Sequence, residues 1–140
     1  MTDASTGDAG PLDLASLLAT MPFAVHTGIE ITAASKDGVT GHLDWAPELT
    51  TLGGAMHGGA LMTLADSLGA VAAYLHLPEG AGTATVSSST ALLRGAREGR
   101  ITGTARVVHA GRRVITVQTD VVDAAGKALS TTTQVQAVLL

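Results

Sequence analysis

The stretch from Ala60 to Leu77, ALMTLADSLGAVAAYLHL, constrains this chain more than any other. Leu61, Leu64, Ala65, Leu68, Ala72 and Leu75 recur at helical spacing, which reads as a helix of about 25 Å carrying one continuous apolar stripe. The run is long and apolar enough to raise the question of a membrane span. Against a span, it is Ala-rich, holds Asp66 and His76, and lacks flanking Lys or Arg. An aspartate in mid-span would cost about 2.5–3.5 kcal/mol on insertion scales. A helix buried by protein on nearly all sides accounts for the same composition. The rest of the chain must supply that cover.

The flanking patterns supply it as sheet. Residues 1–10 read as a disordered leader rich in Ser, Thr, Gly and Asp. Pro11 is expected to open a short amphipathic helix, with Leu12, Leu14, Leu17 and Leu18 on one side and Pro22 as its stop. From Ala24 the period shortens. Residues His26–Ile31 and Val39–Trp45 alternate around Lys36-Asp37-Gly38, which reads as a hairpin with Gly at a position of positive φ. Gly53-Gly54 and Gly58-Gly59 bracket Ala55-Met56-His57 in a loop leading into the long helix, which Pro78 and Gly80 end. After Gly82 the chain is β-like: Thr83–Leu93, Ile101–His109, Val114–Asp123 and Ala128–Leu139, with turns at Ala110-Gly111 and Ala124-Ala125-Gly126. Short connections imply a four-strand antiparallel meander. The expected fold class is α+β, one antiparallel sheet on one long helix, in a single domain over residues 11–140.

Composition removes several functions. With 46% hydrophobic and 14% charged residues, the 140-residue chain has ample core material. Aromatic residues are 2% and the net charge is -4, so neither a base-stacking platform nor a basic surface for nucleic acid is expected. The absence of cysteine excludes disulfides, thiolate metal sites and cysteine nucleophiles. Asp3 and Asp8 stand where a secretion signal would carry Lys or Arg, so a cytoplasmic protein is expected. His26, His42, His76 and His109 are scattered without metal-ligand spacing, so no metal is expected. Ser87-Ser88-Ser89 lacks the Gly-x-Ser-x-Gly elbow of a serine hydrolase.

Between Leu49 and Pro78 the only formally charged residue is Asp66. An unpaired buried carboxylate is expensive, so Asp66 faces solvent, caps a neighbouring turn, or is an acid or base tuned by its surroundings. Nine residues earlier, His57-Gly58-Gly59 lies at the amino end of the helix, where backbone N–H groups lack internal partners and the dipole favours negative charge. With no Cβ, Gly58 lets a ligand approach the main chain, and an N–H there suits a carbonyl oxygen that becomes negative during attack. Asp66 is about two turns further on, too far to serve the same carbonyl easily within one chain. A site shared across a symmetric dimer would join them.

The run from Gly53 to Asp66, GGAMHGGALMTLAD, resembles the signature of the hotdog-fold acyl-CoA thioesterases, in the PaaI-like branch of the 4-hydroxybenzoyl-CoA thioesterase superfamily. The resemblance covers roughly residues 23–140 and implies a curved antiparallel sheet wrapped around one long central helix. It implies Asp66 as the catalytic carboxylate, general base or nucleophile, and the Gly58 N–H as the oxyanion donor. It gives His57 a role in supporting the loop. Thr51 stands where the family often has Asn or Gln, and Thr85 where some relatives carry a Ser or Thr that helps place water. The substrate implied is a small-to-medium acyl-CoA, with coenzyme A as part of the substrate and no separate cofactor. The resemblance implies a homodimer at least, and more commonly a homotetramer.

Six of the eight basic residues fall between Arg94 and Arg113. They read either as a solvated sheet edge or as a dock for the coenzyme A phosphates, with Arg94, Arg97 and Arg112 as the candidates. Thr51, in place of the family amide, keeps open a non-hydrolytic domain that binds acyl-CoA or an acyl carrier protein. A hydratase or dehydratase on the same fold fits the spacing less well.

Overall fold

A computed structural model describes residues 13–140. Its elements are α1 (Leu14–Ala19), α2 (Pro22–Thr27), β1 (Glu30–Ser35), β2 (Gly38–Asp44), a one-turn 3-10 helix (Pro47–Leu49), α3 (Gly58–Tyr74), β3 (Gly82–Leu92), β4 (Arg100–Ala110), β5 (Val114–Val122) and β6 (Ala128–Leu139). The six strands form one antiparallel sheet in the order β1-β2-β4-β5-β6-β3. Helix α3 lies on one face of this sheet, which gives the expected α+β hotdog architecture of a sheet wrapped around a long helix.

Period-two alternation decides which face the helix covers. Ile101, Gly103 and Ala105 of β4 and Ile115, Val117, Thr119 and Val121 of β5 are buried, while their neighbours are half-buried or exposed. Gly41 and Gly103 lie directly opposite each other in the β2–β4 ladder. A Cβ on either would lie 2.7 Å from a methyl of Leu68, which is fully buried. The paired glycines therefore form a hollow that seats Leu68 and brings α3 close to the sheet. That contact sets the height of the helix and, with it, the position of Asp66 two residues earlier.

Several expectations are corrected. The proposed leader and the helix opening at Pro11 lie outside the described residues. Helix α1 begins at Leu14, where the Asp13 carboxylate accepts the Ser16 N–H at 3.2 Å. Pro22 opens a second helix as its first residue, and Gly28 ends it in the left-handed conformation at φ 96°. His26 and Thr27 are consequently helical, and β1 starts only at Glu30. Gly38 does not have positive φ. The hairpin turns on Lys36-Asp37, with the Ser35 hydroxyl accepting the Asp37 N–H at 3.1 Å. A Cβ on Gly38 would lie 3.3 Å from the Ala105 carbonyl oxygen, so close approach is what the glycine serves. The meander comprises β4, β5 and β6 only; β3 crosses to the far edge and pairs with β6.

Candidate active site

Helix α3 starts two residues before the expected Ala60. His57 caps it, its Nδ1 accepting the Gly59 N–H at 2.8 Å, so that ring nitrogen carries no proton. The Ala60 N–H bonds the His57 carbonyl at 2.8 Å. Gly58, the first helical residue, is left with an N–H that makes no hydrogen bond among the described residues. This is the orphan donor that an anion or a polarised carbonyl oxygen would satisfy.

The preceding loop is held from three sides. The Thr51 N–H donates to the Ala55 carbonyl at 2.9 Å and the Trp45 indole N–H to the Gly54 carbonyl at 3.0 Å. Arg97 Nη1 donates to the Gly53 carbonyl at 2.6 Å. Gly53 and Gly54 adopt φ of 90° and 85°, which lets the chain reverse tightly. Thr51, Gly58, Leu92 and Arg94 together line a cavity of about 390 Å3. Thr51 thus lines the same cavity as Gly58.

Asp66 lies on the exposed stripe of α3 and lines a different cavity, of about 370 Å3, with Phe23, Met62 and Ser88. Eight residues of helix separate it from Gly58 by about 12 Å along the axis. Within one protomer the two groups do not meet. Their common neighbour is β3: Ser88 shares the cavity of Asp66, while a Cβ on Gly58 would lie 2.6 Å from Leu92 Cδ1.

One oxygen of Asp66 is engaged from below. Gln134 Nε2 donates to Oδ1 at 2.6 Å, and the Thr85 hydroxyl donates to the same oxygen at 3.4 Å. Gln136 Nε2 in turn donates to Thr85 Oγ1 at 2.8 Å, orienting the hydroxyl proton outward. Thr85 precedes a bulge in β3, where pairing with β6 shifts between Thr85 and Ser87. Oδ2 makes no hydrogen bond among the described residues.

The two glutamines escape sequence reading. Gln134 is 0% and Gln136 1% exposed, on the inward face of β6 with Ser130 and Thr132. Alternation puts these four residues on one face but does not say that the polar face turns inward. Gln134 Oε1 is buried without a partner among the described residues. Such an orphan acceptor costs about 1–3 kcal/mol, which offsets most of what the hydrogen bond to Asp66 contributes to stability. Gly69 makes room for it, because a Cβ there would overlap Gln134 Oε1 and lie 3.0 Å from its Cδ.

The arginines divide. Arg94 and Arg97 flank one cavity in the β3–β4 connection, with Arg94 3.7 Å from the Asp123 carboxylate. Arg112 sits in the β4–β5 turn at the other end of β4, about 35 Å away by strand rise. One protomer does not gather the three. Arg100 is paired with Asp44 at 2.7 Å, which lowers the Asp44 carboxyl below its usual range chiefly through that hydrogen bond. No group of three or more His, Asp or Glu side chains suited to a metal occurs among the described residues. No described helix is long and apolar enough to cross a membrane.

Comparison with known proteins gives the family. The family model of the thioesterase superfamily matches residues 53–130, which include His57, Gly58 and Asp66. No curated protein sequence matches the chain. Among solved structures, a mutant thioesterase from Pseudomonas aeruginosa is 28% identical with a TM-score of 0.86, over 91% of this chain and 94% of that one. A thioesterase from Haemophilus influenzae is 26% identical, also with a TM-score of 0.86, over 91% of each chain. The PaaI protein of the phenylacetic acid degradation operon of Escherichia coli has the same fold, with a TM-score of 0.82 at 20% identity over 90% of each chain. The chain belongs to the thioesterase superfamily and is, by that membership, a thiolester hydrolase of the hotdog fold.

Proposed function

We propose that the protein hydrolyses a small-to-medium acyl-CoA to the free acid and coenzyme A, at a site built by two protomers. The thioester carbonyl of the substrate accepts the Gly58 N–H of one protomer, at the positive end of α3. Asp66 of the other protomer faces the carbonyl carbon as general base on water or as nucleophile. Thr85 helps hold the water, Thr51 lies beside the carbonyl, and His57 fixes the loop by capping α3. Arg94 and Arg97 of one protomer, with Arg112 drawn from another, offer guanidinium groups to the phosphates of coenzyme A.

The observation that carries this reading is the Gly58 N–H at the mouth of α3, which has no partner among the described residues. The supporting geometry is the free edge of β3, whose eleven residues carry no charge and no proline and leave Val86 65% exposed. Two such edges paired antiparallel about a two-fold axis near Thr90 would set Ser88 opposite Leu92 of the partner subunit. Asp66 would then approach Gly58 of the partner subunit, closing the distance that one protomer leaves open.

A thiol-release assay over acetyl-, hexanoyl-, benzoyl- and phenylacetyl-CoA tests the reading. Turnover of at least one ester, lost by more than about 100-fold in Asp66→Asn while the oligomer persists, is the expected result. Undiminished turnover in Asp66→Asn would remove Asp66 from the chemistry. Tight binding of a non-hydrolysable CoA thioester without thiol release would favour the non-hydrolytic binding domain instead.

A further inference from the structure

We propose that Gln134 is the positioning residue of the site: it pins Oδ1 of Asp66 and leaves Oδ2 as the oxygen that reacts. This rests on the reading of Asp66 as the catalytic carboxylate.

Gln134 is fully buried, and its side chain makes one hydrogen bond among the described residues, at 2.6 Å to Asp66 Oδ1. Asp66 itself sits on an exposed helix face, where a carboxylate would otherwise rotate freely about χ2. Gln134 comes from the sheet and Asp66 from the helix, so the bond ties the carboxylate to the second layer. Thr85, oriented by Gln136, reaches the same oxygen at 3.4 Å. Both donors converge on Oδ1, while Oδ2 has none among the described residues. A group that must deliver one oxygen to a carbonyl carbon or to a water gains from this asymmetry, because the reacting lone pairs are left unshared and aimed.

Two features argue against a merely structural glutamine. Its Oε1 is a buried acceptor without a partner among the described residues, and α3 gives up a side chain at Gly69 to make space for it. Met would fill the same volume without burying an unpartnered acceptor.

The test is Gln134→Met, assayed with the best substrate of the CoA panel. The expected result is a fall in kcat of about 10- to 100-fold with KM unchanged and thermal stability little changed, because relief of the orphan acceptor offsets loss of the hydrogen bond. In the Asp66→Asn background the same change should have no further effect, because Gln134 acts through Asp66. As a measurement independent of that variant's folding, the hydrogen-bonded side-chain amide proton of Gln134 should resonate downfield of the ordinary range for that proton in the wild type and move upfield in Asp66→Ala. Wild-type kcat in Gln134→Met, an additive loss in the double variant, or an amide signal insensitive to Asp66 would each overturn the proposal while leaving the thioesterase reading intact. A wild-type protein that releases no thiol from any ester would overturn both.

Discussion

Gly69→Ala separates local helix preference from the packing described above. Gly69 is buried inside α3, where Gly-to-Ala ordinarily stabilises a helix by about 0.8–1.0 kcal/mol. Here the new Cβ would overlap Gln134 Oε1 and press on Cδ at 3.0 Å, with the Thr119 hydroxyl 3.6 Å away. Gln134 is 0% exposed, so its amide has no solvent-filled space in which to swing. Overpacking of this kind costs about 1–3 kcal/mol. Losing the charged hydrogen bond to Asp66 adds about 1.5–3 kcal/mol. After the helix gain is deducted, a net destabilisation of about 1.5–5 kcal/mol remains. Urea unfolding should register it as a lower midpoint at unchanged slope, a shift on the order of 1 M. Thiol release should fall in the same variant. A midpoint that rises, as helix propensity alone requires, would refute the tight seating of Gln134 against α3.

Two further outcomes follow from charge and from the free edge. Asp13, Asp44 and Asp123 have carboxyls held below their usual range, by the Ser16 hydroxyl, the Arg100 guanidinium and the Lys127 N–H respectively. Because their folded values are depressed, the stability they contribute is complete above the unfolded carboxylate value of about 3.9 and declines as pH falls through the folded values. Chemical denaturation between pH 6 and pH 3 should show stability falling only in the acid part of that window, whereas a gain on acidification would reverse the sign. Light scattering should return a dimer or larger assembly, since the β3 edge and the half-site of each protomer are both left open; a monomer would leave Gly58 and Asp66 unjoined.

What the chain reveals locally and what it withholds have physical causes. The long helix was legible because its apolar period is strong and ends at Pro78 and Gly80, although α3 stops earlier, at Tyr74. Asp66 and Gly58 stood out because a lone charge and a glycine pair are visible without knowing any partner. The His26–Ile31 alternation misleads because six residues of period two also fit one and a half helical turns; Pro22 and the left-handed Gly28 decide for helix through Thr27. The partner of β3 is not written in β3, since alternation sets a strand's faces and leaves its neighbour open. For the same reason Gln134 and Gln136 could be placed on one face of β6 but not turned inward. Only their contacts with Asp66 and Thr85 do that.

The central claim is that the amide and the carboxylate of one site come from different protomers. Co-expressing Asp66→Asn and Gly58→Pro chains with different tags, and purifying the mixed dimer, tests it directly. Proline is tolerated at the first position of a helix and removes the N–H; Leu92→Ala in the same chain relieves the contact that its Cβ would make. Each homodimer should be inactive. The mixed dimer pairs an intact Gly58 with an intact Asp66 at one of its two sites, so it should recover about half of wild-type kcat. A mixed dimer as inactive as its parents would show that both groups must belong to one chain.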